Sequence, residues 1–231
     1  MRSLALIVLI LAAAPARAQE GEAEKLYRAM EKKILAAQSL VLEFNSQNTV
    51  DDKSEPSKFT VKGTIHVATG NKTRLDLESE LFQLGGKTLV VTNGKSKYAK
   101  VGNLVFHEGP FPPEGEVLLA LIARFGAAAA ATEQKIATAD LDKDFPVKNF
   151  KLGVKEMVGK REAQVVQYQV QNKIIGNLAE MSVWIDTKTQ LPLKRAIAGK
   201  DKKTIGDLAE TYGVFAVDSK LDGKLFDIPP K

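Results

Sequence analysis

The sequence predicts an α+β domain that is mainly β: a half-open antiparallel β-barrel, or curled sheet, covered by helices. Three observations carry that prediction. Phe59, Val61, Gly63, Ile65 and Val67 alternate with Thr60, Lys62, Thr64 and His66, the period of a strand with one buried face. Turn signals recur at short spacing, at Thr69-Gly70-Asn71-Lys72, Gly85-Gly86 and Asn93-Gly94, and Asn-Gly between β-rich runs marks a hairpin. Two stretches of helical spacing, one near the N-terminus and one in the middle, interrupt the strands. A sheet with one apolar face must cover it, and curling beneath helices is the economical solution.

Composition narrows the classes further. The chain has 231 residues, 44% apolar, with 33 Lys+Arg, 28 Asp+Glu, two His and no Cys. That apolar fraction excludes wholesale disorder. The length suits a single all-β barrel unit. Without Cys there are no disulfides, thiolate metal sites, cysteine nucleophiles or lipidated N-terminal Cys.

Residues 1–18 read as a secretory signal peptide. Arg2 supplies the positive start, Leu4 to Ala14 an apolar run, and Ala16-Arg17-Ala18 an A-x-A site before the polar Gln19-Glu20-Gly21-Glu22. This order predicts export with cleavage after Ala18. The apolar run is too short to span a bilayer, which needs about 20 residues. The expected product is one soluble, non-spanning domain over residues 19–231. Loss of Arg2 and Arg17 leaves 31 basic residues against 28 acidic. A net charge of about +3, with lysines scattered among acids and no basic stripe, argues against a nucleic-acid partner.

The elements follow in order. Leu26, Met30, Ile34 and Ala37 recur at three- and four-residue spacing, predicting a helix over 21–38. Leu40, Leu42 and Phe44 begin a strand, and the polar stretch Gln47 to Ser57 reads as a hairpin loop. Strands follow at Phe59–Val67, Leu75–Leu77, Leu89–Val91, Tyr98–Val101 and Leu104–His107. Pro110, Pro112 and Pro113 close this meander. Glu114 opens a helix whose Val117, Leu118, Leu121, Ile122 and Phe125 form a strongly apolar face, and the alanines 127–131 suggest a second short helix to Ile136. Strands resume with Phe150, Leu152 and Val154 alternating, then Val166, Tyr168 and Val170, then Met181, Val183 and Ile185. Asp186 to Gln190 turns, Leu191 to Ile197 pairs back, and Thr211 to Val217 is the last strand. The total is nine to eleven strands.

No constellation supports catalysis. His66 and His107 have no matched partner in sequence, and the nucleophile-elbow, zincin and P-loop motifs do not occur. Asp140-x-Asp142-x-Asp144 starts like a calcium loop but has Phe145 where Gly is needed and Lys151 where Glu is needed,. Asp51-Asp52 with Glu55 reads as a charged hairpin tip. The reading is therefore not an enzyme, with no metal and no cofactor. What remains is apolar surface on the central helix and the strands. Either they simply bury one another, or they enclose a cavity for an apolar ligand; periodicity does not separate the two.

The order of features resembles the LolA/LolB-like superfamily of periplasmic lipoprotein carriers. The resemblance runs through the meander Phe59 to Ile65, the Asn93-Gly94 hairpin, the helix Leu118–Arg124, the segment Val183-Trp-Ile-Asp186-Thr-Lys-Thr-Gln-Leu191-Pro-Leu193 and the ending Leu225-Phe-Asp-Ile228-Pro-Pro. It implies a half-open barrel whose apolar interior takes the acyl chains of lipoproteins. It also implies a periplasmic monomer that moves between an inner-membrane release complex and an outer-membrane acceptor. On this reading Phe59, Val61, Ile65, Val67, Leu75, Leu77, Val91, Met181, Val183 and Ile185 line the cavity, and Leu118, Leu121, Ile122 and Phe125 form the lid. A sensor or regulatory module of the same fold, recognising lipid or a partner protein without transporting it, is the alternative. Carriers of this kind hold an Arg that latches the lid, before the turn that follows the second strand. The matching position here is Thr69, with Arg74 out of register.

Overall fold

The computed structural model describes residues 13–51, 56–80, 86–107, 115–130, 140–173, 176–199 and 207–230. Helix α1 (Ala13–Leu35) is followed by strands β1 (Ser39–Asp51), β2 (Pro56–Ala68), β3 (Lys72–Ser79), β4 (Lys87–Asn93), β5 (Lys97–Val101) and β6 (Leu104–Phe106). Helices α2 (Gly115–Phe125), α3 (Ala127–Ala130) and α4 (Leu141–Asp144) come next. Strands β7 (Val147–Val158), β8 (Arg161–Asn172), β9 (Asn177–Asp186), β10 (Pro192–Gly199) and β11 (Leu208–Val217) then lead to the 3₁₀ turn η1 (Gly223–Phe226).

All eleven strands form one antiparallel sheet in the order β6-β5-β4-β3-β2-β1-β11-β10-β9-β8-β7. The sheet is curled and unclosed, with β6 and β7 at its edges. The first and last strands lie side by side at its centre, so α2–α4 carry the chain from one edge to the other.

Register sets the two faces. Leu42, Ile65, Leu75, Val90, Ala99 and Phe106 form one cross-strand row. On the other half, Asn48, Leu208, Ile197, Met181 and Tyr168 form another. These rows share the inner face, where α1 and α2 pack. Tyr27, Met30 and Ile34 of α1 and Leu118, Leu121 and Ile122 of α2 belong to the same buried cluster as the sheet residues. Buried side chains of this size contribute about 1.5–3 kcal/mol each.

Three local expectations need correction. Helix α1 ends at Leu35, short of the expected 38, and its described part extends N-terminally of residue 21, from Ala13. Gln47 to Asp51 continue β1, because their backbone pairs with β2 as far as Asp51↔Pro56 and with β11 as far as Asn48↔Leu208. Main-chain ladders overrode a polar side-chain pattern there; the tip, 52–55, lies outside the described residues. In β7 the expected alternation fails. Register shifts after Lys148 and Leu152 and a left-handed Asn149 (φ 58°) rotate the strand, so Phe150 is buried while Val154 is 71% exposed. Such bulges re-aim side chains and are frequent at sheet edges. The short second helix is described only as Ala127–Ala130, and 131–139 lie outside the described residues.

The predicted turn after β9 is closed by Asp186. Its carboxylate accepts the backbone N–H of Lys188 at 2.7 Å and of Thr189 at 3.0 Å, with Arg161 at 3.5 Å. Burial alone would raise this carboxyl, but those donors and Arg161 outweigh it and hold it below the ordinary aspartate value. A lowered folded value gives stability that is present above the unfolded pKa and lost as pH falls through the folded one. Asp186→Asn is therefore expected to flatten the decline of stability below about pH 4, measured by urea unfolding across that range.

Candidate functional site

The inner face divides into a filled part and an open part. Ile65, Val67, Leu75, Leu77, Val183 and Ile185 lie in the cluster under α1 and α2 with Leu118, Leu121 and Ile122 of α2. Ile65, Val183, Leu118 and Ile122 expose no surface, which leaves no water-sized space beside them. A Cβ at Gly115, where α2 begins, would meet the Val67 side chain at 3.3 Å. Phe125 is partly buried and packs edge-on against Phe145, centroids 5.0 Å apart. Phe59 and Val61 are partly buried on the opposite half of β2. Val91 departs from the set. It shares the outer-face row Val41-His66-Arg74-Val91-Tyr98, where η1 packs against β3 and β4.

The open part is a cleft of about 1100 Å³ between Gln19 and Glu20 of α1 and strands β7–β11. Phe150, Leu152, Tyr168, Met181, Ile197 and Leu208 supply its apolar lining. Met181 is the predicted lining residue that reaches it. Gln47, Gln167, Gln169, Glu180 and Asp207 add polar groups to the lining.

Between the filled and open parts lies a buried polar set that the sequence reading did not find. Helix α2 ends at Phe125, Gly126 turns with φ 100°, and α3 begins at Ala127. Arg195 of β10 donates to the carbonyls of Ile122 (3.1 Å) and Ala123 (3.0 Å). The Tyr168 hydroxyl donates to the carbonyl of Arg124 at 3.1 Å. Glu210, the cross-strand neighbour of Arg195, accepts the N–H groups of Ala127 (2.8 Å) and Ala128 (2.6 Å). Helix ends leave such groups unpaired, and here the sheet supplies the partners. A side chain at Gly126 is barred, because its Cβ would stand 2.5 Å from Glu210 Oε1.

Arg124 ties the same junction to α1. Its Nε donates to Glu31 at 2.8 Å, and Nη1 to the carbonyl of Leu141 at 2.9 Å. Burial opposes the charges of Arg124 and Arg195, but surrounding tyrosines and carboxylates outweigh it and both guanidinium values rise. Burial pushes the Glu210 carboxyl above its ordinary value, against its donors. The only sequence signal for Arg195 and Glu210 was a charge at an inward position of an alternating strand.

The remaining candidates acquire structural roles. Asp140 caps α4, accepting from Lys143 N at 3.1 Å, and Asp142 faces Arg124 at 3.2 Å. His66 lies on the outer face, and burial lowers its pKa. His107 packs against Tyr98, ring centroids 5.7 Å apart. Among the described residues no group of His, Asp and Glu is placed to hold a metal ion, and no helix is long and apolar enough to cross a membrane.

The chain is a half-open, curled antiparallel sheet with helices over its apolar face. Among solved structures the chain is similar to LprF from Mycobacterium bovis, at 11% identity, covering 87% of this chain and 96% of that one with a TM-score of 0.53. It is also similar to the lipoprotein LppX from Mycobacterium tuberculosis, at 10% identity, covering 88% and 100% with a TM-score of 0.52. A LolA superfamily protein from Nitrosomonas europaea matches at 9% identity over 89% and 97% with a TM-score of 0.34. No family model and no curated protein matches. At these identities the likeness is one of fold.

Removing one member of a buried charge set leaves the others uncompensated. Arg195→Met is expected to destabilise by about 3–5 kcal/mol in urea unfolding. Arg195→Met combined with Glu210→Leu should cost less than the sum of the two single changes.

Proposed function

We propose that this chain is an exported, soluble binder and carrier of acyl chains, those of lipoproteins above all. The observation that carries the reading is the cleft lined by Phe150, Leu152, Tyr168, Met181, Ile197 and Leu208, which adjoins the core under α2. The acyl chain enters there, and α2 moves to admit the rest of it among Leu75, Val183 and Ile185. Residues 1–18 are removed after Ala18, and residues 19–231 act in the periplasm as a monomer. The donor is an inner-membrane release complex and the recipient an outer-membrane acceptor. Transfer needs no covalent chemistry, so no catalytic residue, cofactor or metal is assigned.

Energetics support a lid that opens only for a ligand. Displacing α2 uncovers Leu118, Leu121 and Ile122, at about 1.5–3 kcal/mol each. A buried methylene returns about 0.8 kcal/mol, so on the order of ten methylenes offset that exposure alone, and more are needed where the bonds from Arg195 and Tyr168 to the end of α2 also break. Short-chain acids should bind weakly and long acyl chains well.

Native mass spectrometry of protein purified from membrane-containing cells tests the reading. Bound lipid is expected, and Met181→Asp or Ile197→Asp should lower occupancy about tenfold. Protein that is always empty and fails to take up a diacylated lipopeptide would overturn it.

A further inference from the structure

The β4–β6 edge of the sheet combines two properties that no part of the cleft shares. Its last strand exposes three consecutive large apolar side chains: Leu104 is 50% exposed, and Val105 and Phe106 are each 47% exposed. Leu104 and Phe106 continue inner-face rows, opposite Val101 and Ala99, while Val105 points to the outer face opposite Lys100. The apolar surface therefore wraps both sides of the edge. A patch of this kind is unusual on a surface with no partner.

Within the segment the charge is of one sign, although Asp76 and Glu78 of β3 lie across from Leu89 and Lys87. Residues 86–107 contain Lys87, Lys95, Lys97 and Lys100 and no Asp or Glu, and all four lysines are exposed. Among the described residues none of the four pairs with a carboxylate; Glu78, the cross-strand neighbour of Lys87, is held by Lys62 at 3.2 Å. Residues 19–231 carry 31 basic and 28 acidic side chains, so the four lysines here are more than the net excess.

We infer that the β4–β6 edge docks on an anionic lipid surface, with Leu104, Val105 and Phe106 entering the interface and the four lysines meeting the headgroups. Apolar side chains beside unpaired cations gain from both parts of such a surface, the acyl boundary and its negative potential. A protein partner would more commonly meet Trp, Tyr or Arg anchors, and the edge offers no exposed one. This inference stands apart from the acyl-chain reading: an empty cleft would leave it intact, and a loaded cleft does not require it.

Vesicle co-sedimentation of the full mature chain tests it, comparing pure phosphatidylcholine with a mixture containing phosphatidylglycerol. Binding is expected only to the anionic vesicles and should fall in high salt. Each Lys→Gln change at 87, 95, 97 or 100 should weaken partitioning about fivefold. Leu104→Ser with Val105→Ser and Phe106→Ser should weaken it at least tenfold while the far-ultraviolet circular dichroism stays native, since these side chains are exposed. In a Trp184→Phe background, Phe106→Trp should shift to the blue on binding and be quenched by brominated acyl chains. Equal binding to both vesicle types, or anionic binding untouched by the triple change, overturns the inference. So does a failure to bind accompanied by dimers that the triple change dissolves, which would make the edge a contact with a second copy.

Discussion

One junction holds the two layers of this protein together: the turn at Gly126, where the carbonyls ending α2 meet Arg195 and Tyr168 and the N–H groups opening α3 meet Glu210. A helix ending inside an apolar interior would otherwise strand several main-chain groups without water. The sheet answers with charged side chains from β10 and β11 and a phenol from β8, all from the inner face. Arg124 then reaches from the same turn to Glu31 on α1. Helices and sheet are thus fixed by directional bonds as well as by packing, and the position of α2 is specified and not merely favoured.

That arrangement explains how an apolar interior can be part filled and part open. Near the junction, α1 and α2 reach the sheet and their side chains occupy the space. Beyond the start of α1 the strands β7–β11 keep curling, but nothing described fills the hollow. The same inward row that is covered at Val183 and Val166 is followed one residue pair along by Met181 and Tyr168, at the edge of the open cleft. Met181 and Tyr168 are each only 2% exposed and belong to the same buried cluster, so the cleft is floored by core residues.

Much of the architecture was legible in the sequence because side-chain period and turn chemistry act locally. The strand Phe59–Val67, the Asp186 turn and the apolar helix all stand where their patterns put them. Val91 was misread because Leu89-Val90-Val91 is apolar throughout and does not say which member faces inward; only pairing with Arg74 and Tyr98 decides that. β7 was misread because bulges are backbone events that leave little trace in residue type. Arg195 and Glu210 were passed over because a charge in an alternating strand ordinarily marks the solvent face. Their partners are main-chain groups 72 to 83 residues away, a distance that no local pattern spans.

The strand order has a consequence for assembly. β1 to β6 form a run of neighbouring hairpins, and β7 to β11 form another, so each half can zip locally as it emerges. The seam between them pairs β1 with β11, and bonds such as Gln38 to Asp218 and Ser39 to Ser219 join groups 180 residues apart. Closing a loop of that length is slow and entropically costly until both halves exist. The centre of the sheet therefore cannot pair until both β1 and β11 are present. A chain threaded through a membrane from its N-terminus cannot complete this barrel until nearly all of it has crossed.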